Sequence, residues 1–472
     1  MATTLSQIIA VNPATDELIA SFDAFGADEV EMALAEAHEA FLEWRQRPIA
    51  ERAVPMRALA RLLRERADAY ARLATLEMGK PIVEAKAEIE KCAWACEHFA
   101  ESAAGYLADE VIRSNARRSL VAFQPLGVVL AVMPWNFPFW QVIRFAAPAL
   151  MAGNAGLLKH ASNVPQCALA IEEVIRDAGF PQGLLRTVLV AGGAIEPIIA
   201  DDRIRAITLT GSSDTGSRIA ELAGHALKKT VLELGGSDPF IVLADADIEA
   251  AAATAVRARN QNNGQSCIAA KRFIVVESVA DDFERQFAKG VEDLVVGDPM
   301  DPKTQVGPLA RRDLLETLER QVEGSLRAGA RVLTGGERVS GKGYFFRPTV
   351  LGDVTPDMPA FREETFGPAA AVVRVRDADE AVRIANDSSY GLGASLWTRD
   401  AAQGERLARR IESGSVFVNG MVASDPRLPF GGIKRSGYGR ELSVAGAREF
   451  TNIQTIWIGP AEASQPTSQP AE

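Results

Sequence analysis

The 472-residue chain is predicted to be an α/β protein built on two doubly wound, mainly parallel sheets with a small β arm. Three observations predict this. From residue 127 onward, short apolar runs alternate with helical segments, the pattern of βαβ units. The length exceeds one ordinary domain, so two or three are expected. Two stretches, at 113–123 and 450–458, alternate polar and apolar residues like exposed strands and fit neither α/β region.

Each element has its own justification. Residues 28–109 are rich in Ala, Glu and Arg at helical spacing, and Asp28–Trp44 and Ile49–Leu76 read as long amphipathic helices. Gly127–Val132 is an apolar run of the kind that forms a strand buried on both faces. Similar runs follow at Ala155–Lys159, Thr187–Val190 and Ala206–Thr210. Between them Pro165–Ala178 reads as a helix that opens on proline, where the missing N–H costs nothing. A second alternating region has strands near Phe240–Leu243, Phe273–Val276, Ala369–Val375 and Val416–Asn419.

The expected division is a first α/β domain from 1–109 and 126–235 with part of 436–449, and a second from 236–435. Residues 110–125 and 450–458 form an arm through which copies of the chain associate, since exposed strand edges tend to be covered. Residues 459–472, rich in Pro, Ser, Ala and Gln, read as a disordered tail.

Composition narrows the function. The chain is 47% hydrophobic and 24% charged, with a formal net charge of −11. An acidic protein of this kind is not expected to bind nucleic acid or an anionic membrane. Met1–Leu5 does not begin a basic-then-apolar leader, so a cytoplasmic protein is expected. The apolar region 126–158 is broken by Pro134, Asn136, Pro138, Arg144, Pro148 and Asn154, which makes it core rather than a membrane span. Four scattered cysteines do not make a disulfide framework. Cys92 and Cys96, four apart beside His98, read as small core residues on one helix face; with four histidines in all, no metal site is expected.

Several residues carry candidate chemistry. Cys267 follows Asn262, Asn263, Gly264, Gln265 and Ser266, small or polar neighbours that let a substrate approach a thiol nucleophile. Alone, it is equally a buried structural cysteine. Glu233, between Leu232 and Leu234 and before Gly235 and Gly236, suits a desolvated general base, or else an exposed carboxylate at a strand end. Asn136, in the Pro134–Pro138 turn after a strand, offers amide donors to an oxyanion or caps the next helix. The usual Gly-x-Gly-x-x-Gly fingerprint is missing. Instead Thr210–Gly216, with Gly211 and Ser212, links a strand to a helix N-terminus suited to a phosphate. Lys159 and Ser162 follow another strand and are placed to face a ribose or its phosphate.

The ordered set Pro-Trp-Asn-Phe-Pro (134–138), Lys-x-Ala-Ser (159–162), Thr-Gly-Ser-x-x-x-Gly (210–216), Glu-Leu-Gly-Gly (233–236), Gly-Gln-x-Cys (264–267), Glu-Glu-x-Phe-Gly-Pro (363–368) and Pro-Phe-Gly-Gly-x-Lys-x-Ser-Gly (429–437) resembles the NAD(P)-dependent aldehyde dehydrogenase superfamily from about residue 8 to 458. The resemblance implies a Rossmann-type cofactor domain, an α/β catalytic domain and an oligomerisation arm, in homodimers or homotetramers. It implies oxidation of an aldehyde to a carboxylic acid. Cys267 attacks the carbonyl, Asn136 and the Cys267 N–H hold the oxyanion, and Glu233 activates the water that cleaves a thioester. Glu364 holds the nicotinamide ribose and Phe366 packs on the nicotinamide, while Pro134, Trp135, Lys159, Ser162, Gly211, Ser212 and Leu234 line the rest of the cofactor.

Within that superfamily, 158–164, 236–243 and 423–425 are most similar to the short succinate-semialdehyde dehydrogenases. That likeness implies a substrate with a carboxylate tail, held by Arg144 with Gln261 and Ser424 close by. Arg144 read alone is also a candidate for an ordinary ion pair. Gln261 stands where some such enzymes carry a second arginine, and Phe145 where many relatives carry a lysine that exchanges protons with the glutamate matching Glu441. Ser162 stands where NAD-preferring relatives often have a glutamate; with Lys159 it predicts that NADP is accepted along with NAD. Alternatives are another small aldehyde or semialdehyde, aliphatic or glutaric, and, from a different class, a cysteine-dependent hydrolase. No histidine lies near Cys267 in sequence to serve the latter.

Overall fold

The computed structural model describes residues 7–459. Two large sheets organise it. The first has six strands in the order Gly437–Tyr438, Lys229–Glu233, Ile204–Thr210, Val128–Met133, Ala155–His160, Leu185–Thr187. All neighbours are parallel except the first pair. The second has seven, in the order Arg331–Thr334, Thr349–Gly352, Ala369–Val375, Ala270–Val276, Asp238–Val242, Gly393–Trp397, Ser415–Val418, again parallel except for the first pair. A strand buried on both faces is apolar along its length, and Val128–Met133 shows it, as does Asp238–Val242 after its first residue.

The predicted helix Asp28–Trp44 is present as Ala27–Trp44, and Pro165 opens the helix Pro165–Asp177. Three predicted features take a different form. The single helix Ile49–Leu76 is two helices, Ile49–Glu65 and Ala67–Met78, because Arg66 leaves helical geometry at φ −105°, ψ 13°. The strand near Thr187–Val190 lies earlier, at Leu185–Thr187, after which Val188 gives one more bond to Leu158 before the chain curls. The single arm strand at 113–123 is a hairpin, Glu110–Val111 with Arg118–Pro125, the latter paired antiparallel with Thr451–Ile458. An unpredicted hairpin, Gln7–Asn12 with Glu17–Asp23, opens the described chain. The expected tail 459–472 lies outside the described residues apart from Gly459, as does Met1–Leu5.

The helix Ile82–Tyr106 matters most for the site. Cys92 and Cys96 are fully buried on its core side, while Glu84, Glu88 and Lys91 follow one another at i, i+4 and i+7. Among the described residues no helix is long and apolar enough to cross a membrane.

Candidate active site

Four parallel strands of the first sheet end side by side. Their last residues and the segments after them hold Pro134–Asn136, Lys159–Ser162, Gly211–Ser212 and Leu234–Gly236, so residues dispersed over 100 positions meet at one sheet edge. This is where open α/β sheets bind ligands. Pro134, Trp135, Asn136, Gly211, Ser212, Leu234, Glu364 and Phe366 line a cavity of about 200 Å³ together with Arg311 and Leu314. Trp135 and Phe366 meet edge to face at 5.7 Å, and the Arg311 guanidinium lies over the Trp135 ring at 5.6 Å. Ser212 caps the helix Ser213–His225, accepting the Thr215 N–H, so that a helix N-terminus opens beside the cavity. Glu364 accepts the Gly236 N–H at 2.9 Å. An apolar aromatic wall, an acceptor carboxylate and a helix N-terminus fit a dinucleotide. Lys159 and Ser162 sit apart from that lining, on the next strand and its following turn, with Lys159 half-buried and Ser162 exposed.

A second cavity, of about 230 Å³, lies on the other side of the thiol. Its wall includes Gln261, Ser424 and Arg144. Cys267 is the one residue shared by both linings, so the thiol stands between them.

The loop that carries Cys267 is held in an unusual backbone. Asn262, Asn263 and Gly264 are successively left-handed, with φ of 55°, 58° and 72°. Such a run is costly for residues with a Cβ and persists only when its surroundings hold it. The Asn262 side chain donates to the Asn136 and Gln265 carbonyls, and its N–H donates to Glu84 at 2.6 Å. The Asn263 side chain donates to the Gly79 and Pro308 carbonyls and accepts the Gly307 N–H. Lys271, buried in the strand Ala270–Val276, donates to the carbonyls of Ser266, Cys267 and Ala269. Gly236 is required to be glycine, since a Cβ there would lie 2.6 Å from the Cys267 carbonyl oxygen.

The charges around the thiol set its chemistry. Burial pushes the Cys267 thiol up to about 12, and Arg144 and Lys271 pull it partly back. Glu233 ends its strand 2% exposed, and both its oxygens lack a hydrogen-bond partner among the described residues. Burial, then the neighbouring Glu441, holds it well above the usual carboxylate range, against the pull of Arg144 and Arg440. Asn136 donates one side-chain N–H to the Gln265 carbonyl at 3.1 Å, which fixes its amide and leaves the second N–H for a ligand.

Arg144 differs from the expectation of a cation free for substrate. It lines the second cavity, but its guanidinium is ion-paired with Glu441, donates to Thr210 at 3.2 Å and lies over the Phe430 ring. Phe145, in place of the lysine of many relatives, is buried against Phe450 and does not replace it. The cation next to Glu441 is therefore Arg144.

Sequence reasoning missed four site residues: Glu84, Glu88, Lys91 and Lys271. The first three were legible as one face of a helix, and Lys271, with Arg272 after it, as charges entering an otherwise apolar strand.

The chain belongs to the aldehyde dehydrogenase family, whose profile matches residues 1–456. It is thus an NAD(P)-dependent oxidoreductase, as its motifs implied, on the fold they implied. It is 54% identical over 451 residues to a Synechocystis sp. protein named "Probable succinate-semialdehyde dehydrogenase (NADP+)", covering 96% of this chain and 99% of that one. It is 53% identical over 454 residues to succinate-semialdehyde dehydrogenase (NADP+) 1 of Mycobacterium tuberculosis, with the same coverage. Among solved structures it is similar to succinic semialdehyde dehydrogenase from Streptococcus pyogenes in complex with NADP+, at 37% identity and a TM-score of 0.94 over 96% of this chain and 100% of that one.

Proposed function

We propose that this enzyme oxidises succinate semialdehyde to succinate with NADP or NAD as the acceptor. The observation that carries the reading is the position of Cys267 between a cavity suited to a dinucleotide and one lined by Arg144, Gln261 and Ser424. The names of the relatives above 50% identity support the substrate.

The residues divide the work. Cys267, as thiolate, adds to the aldehyde carbon, and the alkoxide that forms is held by the free Asn136 N–H and the Cys267 N–H. The bound nicotinamide supplies the hydride acceptor. Pro134, Trp135, Gly211, Ser212, Leu234, Glu364 and Phe366 hold the dinucleotide, with Lys159 and Ser162 at its ribose end. Loss of hydride leaves a thioester on Cys267. Glu233 takes a proton from water, whose oxygen adds to the thioester carbonyl; the C–S bond breaks and succinate leaves. Arg144, Gln261 and Ser424 surround the substrate tail.

On this reading 1–109 and 126–235, with part of 436–449, carry the cofactor; 236–435 carries the thiol; and 110–125 with 450–458 joins copies into a homodimer or homotetramer. Ile453, Ile456, Trp457 and Ile458 are exposed on that arm, which supports association through it. The enzyme is placed in the cytoplasm.

The test is a panel of four-carbon aldehydes with and without a terminal carboxylate, each against both cofactors. Succinate semialdehyde should have the highest kcat/KM. Equal values for butanal would reject the substrate assignment.

A further inference from the structure

The two oxyanion donors stand on separate segments, the turn that carries Asn136 and the loop that carries Cys267. One helix face reaches both. Glu84 and Glu88 are four residues apart on the helix Ile82–Tyr106, so they lie one above the other. Glu84 accepts the Asn262 N–H at 2.6 Å. Glu88 accepts the Phe139 and Trp140 N–H groups through one oxygen, at 2.8 Å each. Its other oxygen is ion-paired with buried Lys80, whose ammonium lies over the Phe137 ring at 4.1 Å. Phe139 opens the helix Trp140–Ala152 without a side-chain cap of its own, so Glu88 supplies the missing acceptor from another helix. Burial pushes the Glu84 carboxyl up to about 7, with the Asn262 N–H and Lys80 pulling it partly back, so both glutamates answer to one lysine.

We propose that Glu84 and Glu88 are positioning residues for the oxyanion donors, setting from one helix the spacing between the Asn136 amide and the Cys267 N–H. This rests on the oxyanion roles read for those two groups. The transmission runs through named bonds. Asn262, whose N–H Glu84 holds, donates its side-chain amide to the Asn136 carbonyl at 2.7 Å and to the Gln265 carbonyl at 3.0 Å. Asn136 donates its own side-chain amide to that same Gln265 carbonyl, two residues before Cys267. Asn262 is left-handed at φ 55°, a conformation that its surroundings must hold. Without Glu84 the loop loses its tie to the helix; without Glu88 the turn before Trp140 loses its tie. Either loss moves one oxyanion donor against the other, and a displacement of about 1 Å costs about a hundredfold in rate.

The experiment measures the single-turnover rate of reduced-cofactor formation from succinate semialdehyde, and KM, in Glu84→Ala and Glu84→Gln, each with and without Asn136→Ala. Asn136→Ala alone should lower the rate about a hundredfold. Glu84→Ala should lower it at least about tenfold, with KM within about twofold of wild type. Glu84→Gln keeps an oxygen for the Asn262 N–H and should restore most of the loss. In the Asn136→Ala background the further loss from Glu84→Ala should shrink to less than about twofold, because the donor it aligns is already gone. The same factor in both backgrounds, or equal losses in Glu84→Ala and Glu84→Gln, overturns the positioning role. If Glu84→Ala does not fold, Lys80→Met with Glu88→Leu against Lys80→Met with Glu88→Gln makes the same comparison. The Gln pair removes both buried charges yet keeps the acceptor for Phe139 and Trp140. If Asn136→Ala itself leaves the rate unchanged, it is the oxyanion reading that falls.

Discussion

Arg144 is ion-paired with Glu441, both of them buried, and both charges act on the Glu233 carboxyl. Position 145, where the resemblance led one to expect a lysine, is phenylalanine, and the cation beside Glu441 comes from the preceding residue of the helix Trp140–Ala152. The consequence is that Glu233 is tuned by a network with a fixed cation.

On the proposed mechanism Glu233 loses its proton to activate water, and its carboxyl is held above the usual carboxylate range, so deacylation should speed up as pH rises beyond that range. Glu441 pushes Glu233 up, so Glu441→Gln should move that rise to lower pH. Arg144 pulls it down, so Arg144→Gln should move the rise to higher pH, and should also cost about 3 kcal/mol of stability by leaving Glu441 buried without its cation. The pH profile of the steady-state phase after the burst checks both signs. Identical profiles in the two variants refute the network. Glu233→Gln should retain a burst of reduced cofactor and lose most of the steady-state rate.

The Cys267 thiol is pushed up to about 12, so it is protonated at neutral pH in the free enzyme. Only the thiolate is alkylated, so the rate of inactivation by iodoacetamide should climb about tenfold per pH unit between pH 7 and 10. A plateau reached by pH 8 contradicts this.

Lys271 donates to three carbonyls of the catalytic loop from a buried position. Lys271→Met leaves those acceptors without it, so stability should drop by about 2 kcal/mol or more, and kcat should fall as the loop relaxes. Denaturant unfolding and turnover of the variant measure the two effects. Unchanged kcat in a destabilised protein separates a merely structural lysine from one that sets the loop.

Ser162 is exposed at the end of the turn after Ala155–His160, near the half-buried Lys159. Ser162→Glu introduces a negative charge where a ribose phosphate is proposed to lie. NADP should lose at least about tenfold in kcat/KM, some 1.4 kcal/mol, while NAD changes little. Equal losses for both cofactors place the phosphate elsewhere.

Much of this was legible before any coordinates. Apolar runs announced the strands of both sheets, because a strand covered on two faces has no polar side to show. Short or edge strands such as Lys229–Glu233 and Arg331–Thr334 carry no such signal, and the break at Arg66 has neither glycine nor proline to mark it. Cys267, Glu233 and Asn136 were each ambiguous alone and persuasive only as an ordered set.

The sequence by itself determined the reaction class, because the order of the motifs along the chain marks the family, and with it the proposed nucleophile, base and oxyanion donor. Only the tertiary structure decided how the charges are spent. Arg144 finds Glu441 almost 300 positions away, and Lys91 finds Ser424 across 333. Whether a cation is free for a substrate depends on which anion reaches it in three dimensions. Local sequence carries no record of such a partner, since the pairing is made by packing helices and loops that are distant in the chain.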